Sequence, residues 1–328
     1  MGITTKEIAR ICGVSRGTVD RALNGKNRIS PVTKERILST AKQLGYRKDM
    51  LARGLVKGKT MYIGVVVFDI RNHYFSQLVN AIELQAQAKN YFVNITLHEK
   101  NRQKEYQLIN SLVDHRVDGI LICPVNKGQD FEKFLKSLSV PVVTIGNYIS
   151  EEIPSVGIDE KQAAKDAVSL LTAKGYRRIL FICPPLADRE SENVYTHEQR
   201  AYGFLECAKQ NREIEMDVVG TWNFLEVIDR MLAEKKARTA IFCSGDIYAL
   251  QILQYLKDKG VEVPKEVGVM GFDDIDMLDF ITPSLATISN EIQEVGGAAV
   301  DLLWKYMNGQ ECEAHILVPH RVIEGESI

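Results

Sequence analysis

The run Val14-Ser15-Arg16-Gly17-Thr18-Val19-Asp20-Arg21-Ala22-Leu23-Asn24 holds residue types whose spacing suits reading a nucleic acid. Ser15 is placed to cap a helix. Val19 and Leu23, one turn apart, give that helix an apolar inner face. Arg16, Gly17, Asp20 and Arg21 then fall on the outer face. Guanidinium groups there can bond phosphate oxygens or, in a major groove, the paired acceptors of a guanine edge. Charge is strongly partitioned around this run. Of 41 Lys and Arg and 43 Asp and Glu in 328 residues, 14 and 4 fall within residues 1–59, leaving 27 and 39 for the rest. A cationic head on an anionic body is the electrostatic layout of a DNA-binding module joined to a separate domain.

The elements that must position these residues are short. Thr4 and Glu7 form a T-x-x-E capping box that starts a helix running to about Ile11. Gly13 supplies a tight turn, and the second helix runs from Ser15 through Asn24. Ser30-Pro31 is a cap followed by proline at the first helical position. A third helix extends to about Leu44, with Ile37, Ala41 and Leu44 inward, and Gly45 ends it.

From Met61 the periodicity changes to short β-branched runs alternating with amphipathic stretches, the rhythm of an α/β protein with parallel sheets. Strands are expected at Ile63–Phe68, Phe92–Leu97, Gly119–Cys123, Val140–Ile145, Ile179–Cys183, Ala240–Cys243 and Val267–Gly271. Helices are expected over 74–89, 103–114, 160–174, 197–210, 247–259 and 291–308. After Val67 comes Phe-Asp-Ile-Arg-Asn-His-Tyr-Phe, which is no glycine-rich phosphate loop, and this argues against a dinucleotide-binding dehydrogenase. The enzyme reading likewise lacks a nucleophile elbow, a metal-ligand set and a positioned Ser-His-Asp. The six cysteines, Cys12, Cys123, Cys183, Cys207, Cys243 and Cys312, are scattered without metal spacing. They are expected as reduced, buried thiols, with no metal and no cofactor. The N-terminal residues have no apolar signal core and no run is long enough to span a membrane, so a cytoplasmic protein is expected.

The head resembles the lactose-repressor/galactose-repressor (LacI) family of bacterial transcription regulators, whose helix-turn-helix typically reads V-S-x-x-T-V-S-R-V-L-N. The likeness continues through Leu44-Gly45-Tyr46 and Leu51-Ala52-Arg53-Gly54-Leu55, then over the remaining chain. It implies an N-terminal three-helix helix-turn-helix (1–47) and a hinge helix or linker (48–60). A two-lobed, periplasmic-binding-protein-like body of parallel sheets (61–328) follows. Lobe one would hold about 61–160 plus 291–320, and lobe two about 161–290 plus 321–328. By the same resemblance Arg16 and Gly17 occupy the base-reading positions. Thr5, Ser15, Thr18, Arg21 and Asn24 would contribute phosphate or base contacts, and Leu55 would wedge into the minor groove of a palindromic operator. Asp20 replaces the usual serine. A carboxylate there is repelled by DNA unless it pairs with a neighbour such as Arg16, or turns away. Lys48-Asp49 replaces the usual Pro-Asn before the hinge, leaving Asp49 as its cap.

In the body, ligands of open α/β sheets bind beyond the strand carboxyl ends. The resemblance turns the loops at 69–75, 124–126, 146–148, 184–185, 244–246 and 272–274 toward one interlobe cleft. It implies an effector set of Phe75, Asn126, Asn147, Arg200, Trp222, Asp246 and Asp273. Arg200 would bond sugar hydroxyls, Asp273 would accept from adjacent hydroxyls, and Trp222 would stack on the sugar face opposite Phe75. Gly245 departs from the asparagine many relatives carry, so Asn126 or Asn147 is expected to supply the missing bond. The function implied is a homodimeric regulator, commonly a repressor, whose hold on double-stranded DNA answers to a sugar-like small molecule. A regulator answering to a protein corepressor is the first alternative, and a solute-binding receptor a more distant one.

Overall fold

The computed structural model describes residues 3–25, 29–46, 58–186, 192–211, 213–234 and 237–328. It forms two compact units, Met1–Thr60 and Met61–Ile328.

The first unit has three helices, α1 (Thr5–Ile11), α2 (Arg16–Leu23) and α3 (Pro31–Gln43). Each begins on a side-chain oxygen that satisfies an otherwise orphaned backbone N–H. Glu7 N donates to Thr4 Oγ1 at 3.3 Å, while Thr4 N donates to Glu7 Oε2 at 2.8 Å, closing the capping box. Thr18 N donates to Ser15 Oγ and Thr33 N to Ser30 Oγ, both at 3.2 Å. The helices close on Ile8, Ala9, Cys12, Val19, Ala22, Ile37 and Ala41. Ala22, rather than Leu23 or Leu44, completes the buried set; those two leucines sit half-buried at its margin. The expected hinge positions Lys48, Asp49, Gly54 and Leu55 lie outside the described residues.

The second unit opens with β1 (Tyr62–Val67), α4 (His73–Ala88), β2 (Phe92–Leu97), α5 (Arg102–Asp114), β3 (Gly119–Ile122), α6 (Gln129–Lys136), β4 (Val142–Ile145) and β5 (Ser155–Gly157). It continues with α7 (Glu160–Ala173), β6 (Arg178–Cys183), α8 (Tyr195–Gln210), β7 (Glu215–Gly220), α9 (Phe224–Glu234), β8 (Thr239–Cys243), α10 (Asp246–Asp258) and β9 (Val267–Met270). The last elements are β10 (Thr287–Ser289), α11 (Ile292–Met307), β11 (His315–Leu317) and β12 (Arg321–Ile323).

One sheet runs β11-β5-β4-β3-β1-β2 and another β7-β6-β8-β9, parallel throughout, with β10 and β12 forming a separate antiparallel pair. Strands β3, β4, β6, β8 and β9 are buried along their whole length, as expected of parallel strands covered by helices on both faces. The chain leaves the first sheet after β5, returns to it after β10, and leaves it again after β11. The two lobes are therefore joined by three strands of chain.

Two glycines permit close helix contacts. A Cβ at Gly296 in α11 would stand 2.6 Å from Ala81 Cβ in α4, and one at Gly203 in α8 would stand 2.2 Å from the Lys161 carbonyl in α7. The six cysteines are free, and all but Cys312 are buried. No helix among the described residues is long and apolar enough to cross a membrane.

Candidate functional site

In the first unit the N-cap Ser15 is exposed, as are Arg16, Gly17, Asp20 and Arg21 on α2, and Thr5, Thr18 and Asn24 are half-buried. The Ser15 hydroxyl is occupied in capping the helix and lies 2.9 Å from Thr18 Oγ1. Asp20 has a different partner from the one expected. Asn24 Nδ2 donates to Asp20 Oδ1 at 2.8 Å, so the carboxylate is held by the amide one turn on rather than by Arg16. That bond leaves Arg16 and Arg21 as exposed cations flanking a glycine whose Cβ would meet nothing closer than 3.8 Å.

In the second unit the carboxyl ends of both parallel sheets border a cavity of about 220 Å³. Phe75, Asn147, Arg200, Trp222 and Asp273 line it, as do Tyr74, Lys100, Glu160, Asn193, His197, Ser244 and Tyr248. Arg200 rises from α8 and is buried. Its Nε donates to Glu160 Oε2 at 2.7 Å and its Nη1 to the Ser244 carbonyl at 2.5 Å. Nη1 also lies 3.6 Å from Asp273 Oδ1, and the guanidinium carbon sits 3.5 Å above the Phe272 ring. Burial opposes the charge on Arg200, but Glu160 and Asp273 outweigh it and raise the guanidinium pKa above its ordinary value.

Asp273 occupies a turn with φ of 118°, a region that L-residues adopt only at a cost. The turn is held by Asp273 N donating to the Ile288 carbonyl at 2.8 Å and by Asn290 Nδ2 donating to Asp273 Oδ1 at 2.8 Å. Burial pushes this carboxyl well above the usual carboxylate range, against the pull of Arg200. A Cβ at Gly245 would lie 3.4 Å from Asp273 Oδ2 and 3.5 Å from the Tyr248 ring, so Tyr248 packs beside this glycine.

Aromatic faces complete the walls. Phe75 packs on Phe68 and Tyr74, with ring centroids 5.1 Å apart in each case. Trp222 is 57% exposed, and the group over its ring is Lys100, whose Nζ is 5.4 Å from the centroid, rather than Phe75.

Two expected residues do not reach the cavity. Asn126 spends its amide internally: Nδ2 donates to the Arg102 carbonyl and to Glu105 Oε2, and Oδ1 accepts from Arg102 Nε. Asp246 is fully buried, accepting from Thr287 Oγ1 at 2.7 Å and from Ile275 N at 3.0 Å. It braces the turn that carries Asp273 instead of facing a ligand. Burial pushes its carboxyl up to about 7.

Asn147 does line the cavity, yet its side chain also ties lobe to lobe, donating to the Asn193 carbonyl at 2.9 Å. Of the lining residues not foreseen, His197 carried a usable signal. It lies three positions before Arg200 on one helix, and residues so spaced share a face. Lys100 and Tyr248 carried none.

Comparison with known proteins matches this architecture. Residues 4–49 match the family described as bacterial regulatory proteins, lacI family, and residues 168–328 match a periplasmic binding protein-like domain. Catabolite control protein A of Priestia megaterium is 32% identical over 330 residues, covering 98% of each chain. The lac repressor dimer bound to operator and an anti-inducer superposes with a TM-score of 0.87. It covers 100% of this chain and 99% of that one at 22% identity, a likeness of fold. A periplasmic binding protein/LacI transcriptional regulator from Alkaliphilus metalliredigens, complexed with D-xylulofuranose, gives a TM-score of 0.71 at 27% identity, covering 81% of this chain and 98% of that one. With a capped helix-turn-helix ahead of two parallel-sheet lobes, and a relative matching along nearly its whole length, the chain belongs to the lacI family of DNA-binding transcription regulators.

Proposed function

We propose that the protein is a repressor whose hold on a palindromic operator is set by a sugar or close derivative bound between the two lobes. The observation that carries this reading is the Arg200–Asp273 pair, buried in the wall of a cavity that Tyr74, Phe75, Trp222 and Tyr248 also line. A fixed planar donor beside a carboxylate matches adjacent hydroxyls, and aromatic faces cover the C–H faces of a sugar ring. The xylulofuranose complex of the Alkaliphilus relative supports the same ligand class.

In the head, Arg16 reads a guanine edge, while Arg21 and Thr18 meet the backbone. Thr5, Ser15 and Asn24 add contacts, and Leu55 wedges the duplex. A homodimer working in the cytoplasm presents two such heads, consistent with the dimeric lac repressor. The exposed basic face weighs against a solute receptor.

The test combines melting temperature of the full chain against free aldoses and ketoses with retardation of a palindromic DNA fragment. A sugar that raises the melting temperature is expected to weaken retardation. If no sugar does either, the cavity reading fails and a protein corepressor takes its place.

A further inference from the structure

Resting on that reading of the cavity, we infer that His197 and Ser244 read a hydroxyl of the effector, and that this effector is uncharged. Both residues line the cavity. His197 stands on α8 three residues before Arg200, so imidazole and guanidinium project from one helix face. Ser244 directly follows β8, and its carbonyl receives Arg200 Nη1. His197 Nδ1 and Ser244 Oγ are both buried without a hydrogen-bond partner among the described residues. Two unsatisfied polar atoms thus belong to the neighbours of a single buried guanidinium. Leaving such buried atoms unpaired is unfavourable, a cost that a ligand removes when it supplies the partner.

The kind of partner follows from the state of the ring. Burial, Arg200 and Lys100 all oppose a proton on His197 and bring its pKa down to about 3, so the imidazole is neutral near pH 7. A neutral imidazole offers one donor and one lone pair, and a serine hydroxyl also offers both. A ligand hydroxyl can complement either role. An ionised phosphate or carboxylate only accepts, so it suits His197 Nδ1 in one tautomer alone, whereas a hydroxyl suits both.

Charge leads to the same class. Leaving aside Asp273, whose carboxyl pKa is pushed up by burial, the cavity is bordered by Asp69, Glu160 and Glu192 against Lys100 and Arg200. Arg200 is already engaged by Glu160 and Asp273. An anion entering here meets an excess of like charge in a partly desolvated space. His197 and Ser244 also supply hydrogen-bonding capacity that residue 245, a glycine, cannot.

The full chain is titrated calorimetrically with common aldoses and ketoses, each beside its terminal phosphate ester. At least one free sugar is expected to bind, with its phosphate ester bound at least about tenfold more weakly. His197→Ala should weaken the free sugar by about tenfold, and His197→Asn, which keeps a donor and an acceptor, should restore part of that loss. The unliganded melting temperature of both variants should stay close to that of the parent, and affinity should be level between pH 6 and 8. Equal affinity of His197→Ala and the parent for a sugar that binds overturns the inference and leaves the sugar site standing, as does tighter binding of the ester. If no sugar binds the parent, the sugar site falls and the inference with it.

Discussion

Asn147, in the loop after β4, donates from Nδ2 to the main-chain carbonyl of Asn193, in the segment that leads into α8, at 2.9 Å. The bond belongs to a reciprocal clasp between the lobes. Asn193 N donates to the Val125 carbonyl at 2.8 Å and its Nδ2 to the Tyr148 carbonyl at 3.1 Å, while Thr196 N donates to Asn147 Oδ1 at 3.2 Å. Asn147 and Asn193 are both buried, so each bond lost leaves a carbonyl or N–H without water to replace it.

Asn147→Ala is therefore expected to cost about 1–3 kcal/mol of stability and to loosen lobe closure. Hydrogen exchange at the Asn193 and Thr196 amides should accelerate more than exchange within β6 or β8. Unchanged exchange at those two amides would mean that the clasp does not hold the lobes.

Arg200 balances two buried carboxylates, and truncating it leaves both without their cation. Arg200→Ala should destabilise the body by about 3–5 kcal/mol, the usual consequence of breaking a buried ion pair from one side. Urea unfolding measures the loss. Adding Glu160→Gln to the same chain should recover part of it, because one stranded charge is removed.

Two buried groups give opposing pH dependences. Burial holds the His98 imidazole down to about 4, assisted by Lys104 and opposed by its bond to the Cys123 carbonyl. Its contribution is complete above about 6.5, the free value, and is lost as pH falls toward 4. Asp246, raised to about 7, does the reverse: its contribution is complete below about 3.9, the free value, and is lost as pH rises through 7. Asp246→Asn should therefore steepen the loss of stability between pH 6.5 and 4, as followed by denaturant midpoint against pH. A flatter profile in that variant would reverse the assignment.

On the DNA side, Arg16→Ala should relax base preference at one position per half-site, by about 1–3 kcal/mol in discrimination. Asp20→Ser removes an exposed carboxylate and frees the Asn24 amide, so it should tighten binding to every sequence alike. Anisotropy titrations against operator and scrambled duplexes separate the two effects. A uniform loss for Arg16→Ala would leave that residue reading phosphate only.

Most of the head is legible in its amino-acid sequence. The Thr4–Glu7 box, the Ser15 and Ser30 caps and the Gly13 and Gly45 turns all act within three or four residues. Asp20 shows where that local logic stops. Arg16 and Asn24 stand at equal distances along the helix from it, and spacing alone cannot choose between them. In the body the long buried strands were legible from their β-branched runs. Strand β7 was not, because as an edge strand it interleaves Glu215 and Asp217 with Met216 and Val218. The three-residue strands β5, β10, β11 and β12 carry no period of their own. They exist because His315 meets Ser155 and Thr287 meets Ile323, pairings between distant parts of the chain.

The same division runs through the site. Sequence by itself determined a basic capped helix, an α/β body and, through family likeness, Arg200 and Asp273 as a matched pair. Only the tertiary structure decided that Asn126 and Asp246 turn inward, that Asn147 joins the lobes, and that His197 and Ser244 keep unsatisfied atoms in the cavity wall. Helical and strand periodicities are properties of neighbouring residues and survive in the linear order. A hydrogen bond forms only within about 3 Å. Which polar atoms remain available to a ligand is settled only after Glu105, Thr287 or Asn193 has been brought alongside.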